Sequence, residues 1–227
     1  MARRILHDQY FKKAKREGYL ARSAYKLIEI DERRELFHDG DRVLDLGCAP
    51  GSWIQVACER IGDEGRVVGI DLLPVASAFG ENVTIFRGDM HEADAGQLKA
   101  AAGGAFDVVI SDMAPNTSGH GDAERSAQLC RDVLGLLPGL LRRGGKCAMK
   151  VLEGNGYQDL LDETKGQFRF VKGLKPRATR EVSTEMYIIA EGYRPTEHRE
   201  DLSDLPPHLR PGGDRPRGKR DELEDWA

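Results

Sequence analysis

Short apolar runs alternate with helical patterns along most of the 227-residue chain, and this alternation constrains the fold more than any other feature. The runs are rich in Val, Ile and Leu, as in strands that are covered on both faces. Strands are predicted at 43–47, 66–71, 83–86, 106–112, 146–151 and 186–192. Helices are predicted at 22–36, 52–61, 94–102, 123–142 and 155–165. Such an alternation predicts an α/β fold with a parallel, doubly wound sheet.

Composition and cysteine usage exclude several classes of protein. Hydrophobic residues make up 40% of the chain and charged residues 32%, which is enough apolar material for a folded core. No apolar run approaches the ~18–20 residues that span a bilayer. The cysteines at 48, 58, 130 and 147 show neither a CxxC pair nor zinc-ligand spacing. We therefore expect no membrane span, metal or disulfide framework, and a reducing, cytoplasmic setting.

The chain is expected to contain one domain followed by a tail. Residues 1–194 carry all the predicted strands and helices, and residues 1–40 form a basic N-terminal segment and helix. Residues 195–227 contain several prolines and many acidic side chains and show no apolar periodicity. We expect this tail to be largely disordered.

Basic residues are clustered although the net charge is −4. Residues 1–26 hold eight basic and two acidic residues, a net charge of +6. A second basic cluster begins at Lys172. Because polyanions bind to local patches of charge, both clusters are predicted to bind one. The residues concerned are Arg3, Arg4, Lys12, Lys13, Lys15, Arg16, Arg22, Lys172, Lys175, Arg177 and Arg180.

The turn after the first strand has the features of a ligand site. In VLDLGCAPGSW, Gly47 and Gly51 allow the backbone to approach a ligand closely. Asp71 ends the second strand, and Asp89 follows the third. A carboxylate at Asp71 can accept hydrogen bonds from ribose hydroxyls, and Asp89 is placed to meet an adenine edge. The glycine spacing is neither GxGxxG nor a P-loop, which favours a nucleoside ligand without pyrophosphate, such as S-adenosylmethionine.

Two lysines and two carboxylates are expected near the same edge of the sheet. Asp112 ends the fourth strand, Lys150 lies inside the fifth, and Glu185 opens the last one. Lys26 lies on the helix that precedes the first strand. A lysine within an apolar strand is costly to bury unless it is paired or functional. These four residues therefore predict an alternating charge cluster beside the ligand site.

The segments RSAYKL, DLGCAPGSW, DLLP, SDMAPN, MKV and STEMY together resemble the FtsJ/RrmJ family of S-adenosylmethionine-dependent ribose 2′-O-methyltransferases, over about residues 8–193. The resemblance implies a Rossmann-like class I methyltransferase fold, with a seven-stranded, mostly parallel sheet, helices on both faces and an antiparallel seventh strand. It implies a catalytic tetrad of Lys26, Asp112, Lys150 and Glu185. It implies cofactor contacts at Gly51, Trp53, Asp71, Asp89 and Asp112.

The implied reaction is methylation of a ribose 2′-hydroxyl, on a uridine of 23S ribosomal RNA in the large subunit, by a monomer that needs no metal. A transfer-RNA ribose methyltransferase and a non-catalytic RNA-binding factor for ribosome assembly are the alternatives. A dehydrogenase is disfavoured by the glycine spacing. Lys150 acts either as a neutral base or as a cation that orients the hydroxyl, and the sequence leaves both roles open.

Overall fold

Seven strands form one sheet in the computed structural model of the protein. The structure describes residues 2–75, 77–115, 121–179 and 183–195, with side chains from residue 9 onwards. The strands are β1 (Arg42–Leu46), β2 (Arg66–Asp71), β3 (Val83–Arg87), β4 (Phe106–Ser111), β5 (Leu141–Leu152), β6 (Phe168–Leu174) and β7 (Glu185–Tyr193). The helices are α1 (Ala2–Glu17), α2 (Ala24–Arg34), α3 (Ser52–Ile61), α4 (Ala95–Ala102), α5 (Asp122–Leu140) and α6 (Tyr157–Gln167).

The strand order is β3-β2-β1-β4-β5-β7-β6. Strands β1 to β5 pair in parallel, whereas β7 runs antiparallel to both β5 and β6. This confirms the predicted mostly parallel sheet with an antiparallel last strand. The order reverses between β1 and β4, and open α/β sheets bind their ligands at such a point, beyond the carboxyl ends of the strands.

Helices cover both faces of the sheet, as predicted. On one face, Leu98, Leu137 and Leu160 from α4, α5 and α6 pack on alternate strand residues. On the other face, Ile30 of α2 and Ile54 of α3 pack on the strand residues in between. Side chains of successive strand residues point to opposite faces, so strands covered in this way need apolar residues at nearly every position.

The N-terminal helix α1 goes beyond the sequence prediction, which treated its residues only as a basic segment. Ala14 of α1 is buried against Tyr25 of α2 and Ala178 of the loop between β6 and β7. The helix therefore joins the domain through a small apolar contact and leaves Lys12, Lys13, Lys15 and Arg16 exposed.

The predicted elements agree with the structure except at β5 and β6. The bounds of β2 and α3 are those predicted, and the other predicted elements apart from β5 differ by no more than two residues at either end. Strand β5 begins at Leu141, five residues earlier than predicted. Strand β6 was not predicted, because FRFVKGL contains two cations and buries only Phe168 fully. As an edge strand it has a partner on one side only, so it does not show a continuous apolar run.

Residues Met1–Pro195 form one compact unit. The predicted disorder of the tail concerns residues that lie, apart from Pro195, outside the described part of the chain. Among the described residues, no helix combines the length and the apolar character needed to cross a bilayer.

Replacing Phe168 tests whether β6 belongs to the folded core. Its ring is 1% exposed and lies 5.2 Å from the ring of Tyr193 on β7, measured between centroids. We expect Phe168→Ala to lower the free energy of unfolding by about 3–5 kcal/mol, through lost burial and a cavity. Phe170 on the same strand is 59% exposed, so Phe170→Ala is the matched control and should change the value by less than about 0.5 kcal/mol. Urea denaturation measures both, and equal effects would contradict the placement of β6.

Candidate active site

The turn between β1 and α3 is built around Gly47. Its φ is +79°, and an added Cβ would lie 2.2 Å from Cγ of Met113, so both conformation and space require glycine there. The backbone N–H of Ala49 donates to Oδ2 of Asp71 at 2.8 Å. This hydrogen bond fixes the turn after β1 to the end of β2.

A cavity of about 480 Å³ opens at the carboxyl ends of β1 to β4. This volume is within the range of small-molecule and cofactor sites. Backbone and apolar side chains form most of its walls, and three carboxylates reach it from successive strand ends. Its lining residues are Gly47, Ala49, Ile70, Asp71, Leu72, Leu73, Gly88, Asp89, Met90, His91, Asp112, Met113, Ala114 and Leu129.

Two of these carboxylates are held in place by hydrogen bonds from the protein. Oδ1 of Asp71 accepts from the backbone N–H of Leu73 at 2.7 Å, in addition to the bond from Ala49. Oδ1 of Asp89 accepts from the backbone N–H of His91 at 3.0 Å. The N–H and the imidazole of His91 lower the pKa of Asp89, so this carboxylate is ionised at neutral pH.

Gly51 and Trp53 do not line this cavity, and their cofactor contact stays a prediction. A Cβ added at Gly51 would lie 2.7 Å from the Phe79 ring. The Trp53 indole is 2% exposed and donates through Nε1 to the backbone oxygen of Ser23 at 3.0 Å. Trp53 therefore fixes α3 to the residue preceding α2.

The four residues of the predicted charge cluster meet as two ion pairs. Nζ of Lys26 lies 2.7 Å from Oε2 of Glu185, and Nζ of Lys150 lies 3.2 Å from Oδ1 of Asp112. The Lys150 ammonium also donates to the backbone oxygen of Asp112. Both lysines are buried, with 5% and 8% of their surface exposed. Asp112 lines the cavity as well, so the cluster and the cavity share a wall.

Burial opposes ionisation of Glu185, but Lys26, with Lys150 and Arg22 beyond it, outweighs burial and lowers the pKa of this carboxyl group. Glu185 is therefore an anion at neutral pH.

Comparison with known proteins agrees with this geometry, since residues 19–193 match the family described as FtsJ-like methyltransferase. The chain belongs to the FtsJ-like methyltransferase family. Among its relatives is a protein named ribosomal RNA large subunit methyltransferase E from Syntrophobacter fumaroxidans, 45% identical over 186 residues, or 81% of this chain and 94% of the relative. A protein of the same name from Halorubrum lacusprofundi is 43% identical over 82% of this chain and 70% of the relative.

A solved structure from Plasmodium falciparum, described as a ribosomal RNA methyltransferase, matches with a TM-score of 0.67 and 27% identity. The match covers 77% of this chain and 98% of the other. It confirms the methyltransferase fold.

Tyr187 is a site residue that sequence reasoning missed. It is fully buried, and its hydroxyl donates to Oδ1 of Asp112 at 2.6 Å. Burial, followed by the charge of Asp112, raises the pKa of Tyr187 well above its ordinary value, which keeps the hydroxyl protonated as a donor. A signal for it existed, because residues 185 and 187 of one strand point to the same face.

Asp45 is a second residue that the sequence analysis did not single out. It lies within β1, is 1% exposed, and among the described residues neither of its carboxylate oxygens has a hydrogen-bond partner. Burial, with Asp112 and Asp71 nearby, raises the pKa of Asp45 well above its ordinary value. The signal was the same as for Lys150, an ionisable residue inside an apolar run.

The basic residues lie on α1, on β6 and in the loop after β6. Lys12, Lys13, Lys15 and Arg16 are exposed on α1, and Lys172, Lys175 and Arg177 are exposed at or beyond β6. Lys13 and Arg177 line the same cavity, so the structure brings the two sequence clusters together. Arg22 acts on the charge cluster itself. Arg180 and the side chains of Arg3 and Arg4 lie outside the described residues.

His91 links Asp89, in the wall of the cavity, to helix α5. Its Nδ1 lies 2.7 Å from Oδ1 of Asp89, and its Nε2 lies 3.1 Å from Oδ2 of Asp132. The hydrogen bond with Asp132, and then that with Asp89, raise the pKa of His91 above its ordinary value. The imidazolium form therefore holds the rim of the cavity together.

The raised pKa of His91 predicts a pH-dependent contribution to stability. This contribution is fully present below the ordinary histidine pKa of about 6.5 and is lost as pH rises through the raised value. The melting temperature of the wild type should therefore exceed that of His91→Gln at pH 6 and approach it at pH 9. Asp132→Asn should reduce the same pH-dependent difference. Melting curves across this range test the link, and a difference independent of pH would contradict it.

Proposed function

We propose that the protein transfers a methyl group from S-adenosylmethionine to a ribose 2′-hydroxyl of ribosomal RNA in the large subunit. The two ion pairs, Lys26 with Glu185 and Lys150 with Asp112, are the observation that supports this most directly. Through Asp112 they adjoin a cavity of cofactor size. The relatives named ribosomal RNA large subunit methyltransferase E support the same substrate.

The residues of the cavity fit the proposed cofactor. Asp71 and Asp89 can accept hydrogen bonds from ribose hydroxyls and from an adenine amine, and Ile70 and Met90 supply apolar contact beside them. The absence of a side chain at Gly47 makes room for Met113, and both residues line the cavity. The acidic walls suit a cationic ligand and oppose a phosphate. When bound, S-adenosylmethionine supplies a methyl group activated by its sulfonium.

The contacts of Lys150 favour an orienting role over that of a base. Its Nζ donates to the backbone oxygen of Asp112 and pairs with the carboxylate of the same residue. Both contacts suit an ammonium group, and a third N–H remains to hold the 2′-oxygen in line with the methyl group. As the C–O bond forms and the C–S bond breaks, the hydroxyl proton leaves to solvent and the sulfonium becomes a neutral thioether. Positioning of this kind contributes strongly to the rate of a transfer to a well-placed nucleophile. Tyr187 fixes the Asp112 carboxylate from the other side.

The basic residues of α1 and of the loop after β6 support binding of the RNA backbone. They flank the charge cluster, because α2 follows α1 and carries Lys26, while β7 follows the loop and begins with Glu185. Each contact between a cation and a phosphate releases counterions and makes binding dependent on salt. We place this action in the cytoplasm and assign it to a monomer.

The reaction is tested with labelled methyl donor and large ribosomal subunits from cells that lack the protein. We expect label in one 2′-O-methylated nucleotide of the large-subunit RNA after digestion. Transfer RNA serves as the competing substrate. Label on a base, or label in transfer RNA alone, would contradict the proposal.

Asp71 is predicted to contribute to cofactor affinity. Asp71→Ala should weaken binding of S-adenosylmethionine by about 1–3 kcal/mol, because a charge-assisted hydrogen bond and the tie to the β1 turn are lost together. Asp63→Ala is the matched control, since Asp63 is exposed in the turn before β2, beyond the opposite end of that strand from Asp71. Calorimetry measures both affinities, and equal values would contradict the placement.

Lys150 is predicted to act in methyl transfer and not in cofactor binding. Lys150→Ala should lower single-turnover transfer by about 10²-fold or more while the affinity for S-adenosylmethionine is retained. Lys165, an exposed residue of α6, provides the control Lys165→Ala. An arginine cannot be deprotonated, so Lys150→Arg should keep part of the rate if the residue orients and none if it is a base. A normal rate in Lys150→Ala would show that the lysine is only structural.

A further inference from the structure

A second cavity, of about 310 Å³, lies between α1, α2 and the loop after β6; we call it the α2 cavity. Its residues on α2 include Tyr25, Glu29 and Glu32, which form one face of the helix because they are spaced by three or four positions. Tyr10 and Lys13 of α1 and Arg177 of the loop complete it. Its volume is at the lower end of the range of ligand pockets.

One wall of the α2 cavity is aromatic. The ring centroids of Tyr10 and Tyr25 are 5.5 Å apart, and Nζ of Lys13 lies 4.4 Å from the centroid of the Tyr25 ring. The Tyr25 hydroxyl is bound to Glu17 at 2.8 Å, which fixes the ring. Tyr10 is only half-buried, so its ring remains available to a flat ligand.

The α2 cavity also contains one carboxylate and one guanidinium that make no ion pair with another described residue. Glu29 is committed to the structure, since it pairs with Arg33 at 2.6 Å and accepts from the backbone N–H of Arg177. Within the described part of the chain, neither the Glu32 carboxylate nor the Arg177 guanidinium makes an ion pair. Both an acceptor and a donor are therefore left for a ligand.

This combination fits a nucleobase better than a phosphate or a basic peptide. A base has a flat face for stacking, N–H donors for a carboxylate and ring or carbonyl acceptors for a guanidinium. A phosphate alone would be repelled by Glu32, and a basic peptide by Arg177.

The position of the α2 cavity links it to the charge cluster. Tyr25 and Lys26 are consecutive on α2, so their side chains lie on adjacent faces of the same helix. Arg177 lies in the segment that leads to Glu185, the partner of Lys26. A strand of RNA with one ribose at the cluster would therefore have a neighbouring nucleotide at the α2 cavity.

We infer that the α2 cavity holds the unpaired base of a nucleotide that flanks the methylated one, an inference that rests on the proposed function. Its stacking on Tyr10 and its hydrogen bonds to Glu32 and Arg177 would fix the direction of the RNA strand across the charge cluster. Unpaired bases splayed out and stacked on aromatic side chains are the common way in which proteins read RNA sequence.

Enzyme variants provide the first test, with unmodified large ribosomal subunits as substrate. We expect Tyr10→Leu and Glu32→Gln to raise KM about tenfold, the effect of losing one stacked or hydrogen-bonded base, while kcat is retained. Loss of Glu32 would not weaken binding of the RNA backbone, because a carboxylate repels phosphate. Arg143→Gln is the matched control, because Arg143 is exposed near the start of β5, at the other end of that strand from Lys150. Cavity variants that behave like Arg143→Gln would overturn the inference.

Modified RNA provides the second test and separates the base from the backbone. A synthetic RNA fragment carrying the target receives an abasic nucleotide at either flanking position, and its Kd is measured by fluorescence anisotropy. One of the two abasic sites should weaken binding to the wild type about tenfold. The same site should weaken binding to Tyr10→Leu only slightly, because both changes remove the same stacking contact and their effects do not add. Equal penalties in wild type and Tyr10→Leu would place the base elsewhere.

The two tests also separate a failure of this inference from a failure of the proposed function. If the wild type methylates no RNA, the proposed function fails. If it methylates normally while the cavity variants and abasic sites have no effect, only the α2 cavity is wrong. Should Tyr10→Leu lower the melting temperature, Glu32→Gln, whose side chain is exposed, carries both tests.

Discussion

Two ammonium groups lie almost fully buried at one end of the sheet, and the surrounding structure depends on giving each of them a carboxylate. An unpaired charge in such a place costs several kcal/mol, so Lys26 and Lys150 require Glu185 and Asp112. These residues come from α2, β5, the start of β7 and the loop after β4. Satisfying the two charges therefore ties together four distant parts of the chain. The same ties create the polar end of an otherwise apolar sheet.

Hydrogen bonds to Asp71 and Asp112 join the cavity at the strand ends to this charge cluster. Asp71 binds the backbone of the turn after β1 and of its own loop, and Tyr187 binds Asp112 from inside the core. The bond from Ala49 to Asp71 and the bond from Tyr187 to Asp112 cannot be read from local sequence, because each joins segments that are far apart along the chain. Each carboxylate thus has a structural partner and still faces the place where a ligand fits.

The sequence predicted the strands and helices that show a regular apolar pattern. It missed features that depend on where a strand lies in the sheet. The bounds of β2 and α3 follow directly from apolar periodicity. Strand β6 was missed because its one-sided pairing permits Arg169 and Lys172. Lys150 could be predicted because a charged residue is conspicuous in an apolar strand, whereas the tetrad as a set followed from the resemblance to the family. Tyr187 was missed because a buried tyrosine in a strand looks like an ordinary core residue until its hydroxyl finds a partner.

The buried carboxyl group of Asp45 couples the protonation of the chain to its folding and to the binding of a charged ligand. A buried carboxyl group whose pKa is raised takes up a proton when the chain folds, so this residue opposes folding increasingly as pH rises above its ordinary pKa. A cation placed in the neighbouring cavity would favour the charged form and reverse that preference. Binding of a cationic ligand should then release a proton to the solvent, and the heat of binding should vary with the ionisation enthalpy of the buffer. The loss of stability that Asp45 causes at β1 is therefore smaller when a cationic ligand is bound.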